Sequence, residues 1–467
     1  MNLVTPMMIV GIEEKLSLDP QFKPAILAWD KWKKECLGGQ TTETAKINLS
    51  RNDNSLTYWE IPLKTPAKDF LKENVTTLKL IIKSLLWSRG GYKISLECPD
   101  IILDALRDHY EVDALAQFDK DMMGNKIYLS DFLVAKGLKS STSLESSAPI
   151  GKNLDGCRIG FDLGASDRKV AALIDGEVVF SEETVWSPVE QSDPAWHFNE
   201  IMDSLNKAAA KLPRVDAIGG SSAGVYVDNE VRVASLFRSV PKELFNSDVR
   251  PIFKNIQKEW GGIPFQIIND GAVTALAGSM ALGENGVLGI AMGSSMACGY
   301  VDKSGKINPW LDELAFCPID WGEDAHIDEW SKAPGCGVQY FSQQAVGRLL
   351  KPAGIDLPGN LGLPAKLVEV QKLMEAGDQR ATEIYKTIGT YLGYTIPYYD
   401  DFYDFDYLLI LGRVMTGLGG DIILDTAREI LDKNFADISQ RLKFHVPGER
   451  EKRHGQAIAA ASLPKLK

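Results

Sequence analysis

Asp270 stands where an apolar run ending at Ile267-Ile268-Asn269 gives way to the small-residue run Gly271–Leu282. A carboxylate at a strand-to-helix junction sits at the edge where α/β sheets bind ligands, and a helix N-terminus favours its ionised form. A second apolar run, LGIAMGSS at 288–295, ends in Gly293-Ser294-Ser295. That turn offers bare N–H groups and hydroxyls, which suit phosphate oxygens. The same pattern occurs earlier, as IGFDLGAS at 159–166, ending in Gly164-Ala165-Ser166. Glycine is second and sixth and serine last in both copies, and a turn follows each, at Asp175-Gly176 and Ser304-Gly305. Asp162 of the first copy falls on Ala291 of the second. A duplicated frame with one carboxylate suggests two phosphate-gripping hairpins, one of which also holds a metal.

Two further loops carry candidates. A strand over Val215–Gly219 leads into Gly220-Ser221-Ser222-Ala223-Gly224, and small residues there let a substrate approach the backbone at Ser222 and Gly224. A strand over Tyr407–Leu411 ends at Gly412-Arg413, with Gly417, Gly419 and Gly420 beyond and a helix over Asp421–Asp432. A glycine-rich turn between strand and helix brings backbone against a nucleotide.

The elements that must position these residues read in a consistent order. Residues 157–180 form a strand meander, His197–Leu212 a helix and Asp248–Trp260 another, and the second half opens with the same meander. Gly337–Leu350 and Ala365–Leu392 read as helical, and the small-residue helix His454–Leu463 packs back on the earlier lobe. Upstream, residues 1–136 form a separate α/β or α+β module. Leu78–Trp87 has helical spacing with Gly90-Gly91 as a stop, Tyr92–Glu97 alternates like a strand, and Pro99 opens a helix through Tyr110. The aromatic and acidic patch Tyr110–Asp121 reads as packing and solvated surface. The serine-rich stretch 137–154 reads as a linker. The domain reading is therefore 1–136, then one lobe over 155–268 with about 450–467, and a second over 269–449.

At 467 residues, 45% hydrophobic and 24% charged, the chain has the make-up of a globular protein with a large core. Its net charge of −12 and lack of basic runs argue against nucleic-acid or anionic-membrane partners. Six scattered cysteines without a C-x-x-C pair fit free thiols in a reducing compartment. The start, MNLVTPMMIVGIEE, lacks the basic flank of a signal peptide. A cytoplasmic protein is expected.

The residues quoted above resemble the ROK family of sugar kinases, within the actin-like, ribonuclease H-like superfold, over about residues 155–465. IGFDLGAS resembles its first phosphate motif, LGIAMGSS its second, LLILGRVMTGLGG its adenosine motif, and IINDGAVTALAG its Asn-Asp strand and helix. The resemblance implies a two-lobed α/β fold, each lobe on a mixed five-stranded sheet, closing around ATP, Mg²⁺ and a sugar. It implies Asp270 as general base, Asn269 and Glu313 as sugar-hydroxyl partners, and Asp162 as the magnesium residue acting through water. Gly164, Ala165, Ser166, Gly293, Ser294 and Ser295 would surround the phosphates, and Gly412 and Arg413 would lie near adenosine. The family histidine falls on Phe316, and its cysteine cluster keeps only Cys336, so no structural zinc is expected. Without a zinc site, His326 reads as a surface residue. The family's second sugar-binding glutamate falls on Gln343. Asp167 places a negative charge at the first phosphate turn, unless magnesium or Lys169 offsets it. A catalytically weak sugar sensor and a non-sugar ATPase of the superfold are the alternative readings. The N-terminal module is left with two roles, capping the sugar side of the cleft or making a homodimer contact.

Overall fold

The computed structural model describes residues 16–38, 43–145, 150–447 and 449–466, without the side chains of 449–454. The apolar start, residues 146–149 of the serine-rich stretch and the side chain of His454 lie outside the described residues.

The N-terminal module carries strands β1 (Glu43–Ser50), β2 (Leu56–Leu63), β3 (Lys93–Glu97) and β4 (Leu133–Lys136) in the order β2-β1-β3-β4. Its central helix, Leu71–Arg89, buries Leu78, Ile81, Ile82, Leu85 and Leu86 at helical spacing and ends on Gly90. This module shares one apolar core with the far half of the chain. Phe22 packs edge-on against Tyr391, and Trp87 lies 4.2 Å from Phe316.

The first lobe holds β5 (Cys157–Leu163), β6 (Asp167–Ile174), β7 (Glu177–Val185), β8 (Ala217–Ser222), the ribbon β9 (Val225–Val227) and β10 (Glu230–Val233), and β11 (Phe265–Asn269). Its sheet runs β11-β8-β5-β6-β7, with β5, β8 and β11 parallel. The second lobe holds β12 (Val287–Met292), β13 (Met296–Val301), β14 (Tyr407–Leu411) and β15 (Lys443–His445), ordered β13-β12-β14-β15. The Asp270–Leu282 helix packs on β12 and β13, while the Glu449–Ala461 helix packs on β5 and β8; the two helices pack on each other between the sheets. This contact is close. A Cβ on Gly160 of β5 would stand 1.8 Å from the Ala457 carbonyl oxygen.

Several expectations need correction. Among the described residues the second sheet has four strands, not five, and the second meander has no third strand. Residues 306–313 are drawn toward the N-terminal side instead: Ile307 bridges Ile150, and Asp312 and Glu313 donate their N–H groups to the carbonyls of Ser88 and Trp87. Ser221 and Ser222 belong to β8 rather than to a loop, because each has strand partners on both sides. The helix expected over Ala365–Leu392 is two, Leu363–Glu375 and Gln379–Asp400. Gly377 turns the chain between them, and the Asp378 side chain caps the second. The helix expected from Asp248 begins at Ile252, after Pro251. That expected from Gly337 begins at Gln343, after a single 3-10 turn.

Candidate active site

Parallel pairing puts Ser221 between Asp162 and Ile268, and Ser222 between Leu163 and Asn269. The C-terminal ends of three strands therefore align Asp162, Ser222 and the Asn269-Asp270 pair along one edge. Asn269, not Asp270, caps the following helix: its Oδ1 accepts the Gly271 N–H at 2.7 Å. Its Nδ2 donates to the Gly224 carbonyl at 2.8 Å and reaches Glu313 Oε1 at 3.4 Å. One amide thus ties the first-lobe loop, the interlobe helix and the Glu313 segment. Asp270 accepts from the Gly271 N–H at 3.0 Å and stays partly exposed.

Helix-end electrostatics alone favour an ionised Asp270, but burial outweighs them and pushes its carboxyl above the usual range, against the pull of the Gly271 N–H. Burial pushes Glu313 up to about 8, with the charges of Asp270 and Asp312 adding to it. Asp162 rises to about 6, mainly by burial, while the Ser221 hydroxyl at 2.6 Å and Lys169 pull it down. Neighbouring carboxyl groups with protonation pushed toward neutrality suit proton transfer or cation binding.

The two glycine–serine turns close alike: Gly164 donates to the Asp167 carbonyl and Gly293 to the Ser295 carbonyl, each at 2.9 Å. Ala165, Ser166, Ser294 and Ser295 are exposed at the tips. Lys169 Nζ stands 3.3 Å from Asp167 and offsets part of its charge. In the second lobe, pairing of Ala291 with Leu411 sets Gly412 beside the Gly293 turn. Gly412 has φ 106°, and a Cβ there would meet the Met292 carbonyl oxygen at 2.3 Å. Only glycine fits at that point. Arg413 is exposed, its carbonyl held by Gln371. Gln343 sits on this side too, since its N–H bonds the Gly293 carbonyl and its buried Oε1 has no partner.

Sequence reasoning missed what the N-terminal module brings. A cavity of about 320 Å³ abuts Asn269 and Gly224, and its outer wall includes Arg51, Asn52 and Tyr128 of that module. The Gly90-Gly91 stop marked the end of the Leu71–Arg89 helix, whose last carbonyls lack partners within it. Nothing local said that Asp312 and Glu313 would supply those partners.

No protein-family model matches the sequence, and no curated protein matches it. Solved structures do match. A ROK hexokinase from Thermus thermophilus superposes with a TM-score of 0.52 at 16% identity, covering 65% of this chain and 96% of that one. The chain has the ROK sugar-kinase fold. A ROK family glucokinase from Streptomyces griseus, in complex with glucose and AMPPNP, covers 66% and 98%, at 18% identity and a TM-score of 0.48. A ROK family transcriptional regulator, a homologue of the E. coli MLC protein, covers 66% and 79%, at 18% identity and a TM-score of 0.49.

Within the ROK fold of this chain, Phe316 lies in an aromatic cluster with Trp87, Phe118 and Trp330. Cys336 Sγ lies 3.6–3.7 Å from the carbonyls of Ala333 and Phe316 and from the Ser331 hydroxyl. His326 is partly exposed, 3.7 Å from Asp19. Among the described residues no group of three or more His, Cys, Asp or Glu side chains is placed to hold a metal ion, and no helix is long and apolar enough to cross a membrane.

Proposed function

We propose that this chain transfers the γ-phosphate of ATP to a hydroxyl of a hexose or hexose derivative. The observation that carries the reading is the Asn269 amide, which joins Gly224 and Glu313 beside a carboxylate that the helix does not need as its cap. Asp270 takes the proton as the sugar oxygen attacks phosphorus. Asn269 and Glu313 hold neighbouring hydroxyls, with Ser222 and Gly224 closing the first-lobe side. The turns Gly164–Ser166 and Gly293–Ser295 grip the phosphates, and Gly412 and Arg413 border adenosine. Gln343, anchored through its N–H to the Gly293 carbonyl and with a buried Oε1 that has no partner, is a further partner for the sugar.

Magnesium needs only one or two carboxylates when phosphate oxygens and water complete its shell, and Asp162 fits that role. Its buried carboxyl, raised to about 6, gains from a nearby cation. A magnesium ion held by Asp162 would supply neutralisation of the phosphate charge. Phosphoryl transfer asks the protein mainly for position and charge neutralisation. Alignment in a closed cleft is worth roughly 7–11 kcal/mol.

Asp270→Ala is expected to lower kcat by about 10²–10⁴ while the sugar KM holds. ADP release measured with hexoses, with N-acyl amino sugars and without acceptor tests the whole reading. Unchanged turnover in the variant removes Asp270 as base, and acceptor-independent turnover makes the chain an ATPase. The Asp167 carboxylate at the first phosphate turn favours a second reading, a catalytically weak sugar sensor. Sugar binding with no ADP release at all would select it.

A further inference from the structure

The cavity beside Asn269 takes part of its rim, Arg51, Asn52, Asp53 and Tyr128, from the N-terminal module. Its volume, about 320 Å³, falls at the lower end of ligand pockets, roughly 300–1,000 Å³. The N-terminal turn between β1 and β2 supplies Arg51 and Asn52, β11 supplies Gln266, and the segment leading to Glu313 supplies Asn308 and Trp310.

The chemistry of these walls is specific. Arg51 is buried, and its Nε has no hydrogen-bond partner. Its charge is already met, because Nη2 lies 2.5 Å from Glu145. Asp53 and Asp228 add negative charge to the rim. The Gln266 and Asn308 amides make only long bonds, at 3.4 and 3.3 Å. Trp310 is stacked by Tyr300, and the Arg89 guanidinium lies 3.7 Å from its ring centre. Amides carry a donor and an acceptor side by side, the pair that a hydroxyl satisfies. A phosphate or carboxylate would meet a neutralised arginine and two acids.

We infer that this cavity is a subsite for a neutral, hydroxyl-rich group attached to the phosphorylated ring, so that the preferred acceptor is a glycoside or disaccharide rather than a free hexose. This rests on the kinase reading for the placement of the first ring at Asn269. The N-terminal module then acts as a specificity element, reading the second ring through Arg51 and Asn52.

The test is equilibrium titration of the full chain without ATP, using glucose, galactose and mannose, neutral disaccharides containing each, and disaccharides with a uronic acid as second ring. One neutral disaccharide is expected to bind about tenfold tighter than its monosaccharide, the effect of one or two well-made buried hydrogen bonds. Asn308→Trp, which fills the cavity, is expected to bring that ratio toward one. Asn52→Ala, which removes one wall amide, does the same more weakly and covers the case in which the bulky variant fails to fold. Equal affinity for one ring and two, or tighter binding of the uronic acid form, overturns the subsite while leaving the kinase reading intact. No binding of any sugar overturns both.

Discussion

Glu313 changes meaning once its surroundings are known. With its carboxyl pushed up to about 8, it is largely protonated at pH 7 and donates a hydrogen bond as well as accepting one. Glu313→Gln, of the same shape and uncharged, is therefore expected to keep the sugar KM within about threefold at pH 7, whereas Glu313→Ala leaves the Asn269 amide without that partner and raises KM by about tenfold or more. Steady-state kinetics with varied sugar distinguishes them. Asp270 acts in the opposite protonation state. As a base it must be ionised, so kcat/KM is expected to fall as pH drops through its raised pKa.

Asp312 lies next to these groups without joining the chemistry. Burial raises it from 3.8 to about 7, and the Tyr403 hydroxyl donates to it at 2.9 Å. Between those two values the folded state keeps a proton that the unfolded state has lost, so stability falls as pH rises across that window and remains lower above it. Asp312→Asn keeps the acceptor for Tyr403 and suits the residue's φ of 51°. At pH 8 it is expected to stabilise the fold by about 1–3 kcal/mol. Thermal melts should show the gain fading toward pH 4.

Among the elements, the Glu449–Ala461 helix and the Asp270–Leu282 helix set how the two sheets face each other. Gly160 lets the first of them approach β5 closely, with no room for a methyl group beside Ala457. Gly160→Ala is expected to cost about 1–3 kcal/mol by overpacking, read as a lower urea midpoint. The Leu71–Arg89 helix plays a comparable part for Glu313: its terminal carbonyls at Trp87 and Ser88 receive the Asp312 and Glu313 N–H groups. Trp87→Ala removes the tilted ring contact with Phe316 and the bond to Asp119. It is expected to destabilise by about 3–5 kcal/mol and to raise the sugar KM by loosening Glu313, which denaturation and kinetics measure separately.

On the scale of the whole molecule, the N-terminal module is not an appendage on a tether. The described ends of the serine-rich stretch are pinned, Leu144 to Leu56 and Asn153 to the Ser462 carbonyl. Phe22, Trp29 and Trp87 belong to the same core as Tyr340 and Tyr391. A chain beginning at residue 137 is therefore expected to expose this apolar face and aggregate on expression, where an independent module would leave a soluble remainder. Size-exclusion chromatography decides between the two.

The strand–Asp–helix junction, the doubled hairpins and the glycine turn at Gly412 were all legible in the chain, because each depends on local conformation and on residue types a few positions apart. The raised carboxyl groups and the cavity behind Asn269 were not. They depend on which distant segments exclude water from the same few side chains. The missing third strand of the second meander has the same cause: Asp312 and Glu313 find their backbone partners at the end of a helix more than 200 residues earlier. Local pattern decided where the reactive groups stand along the chain, and tertiary burial decided their charge and what they are able to hold.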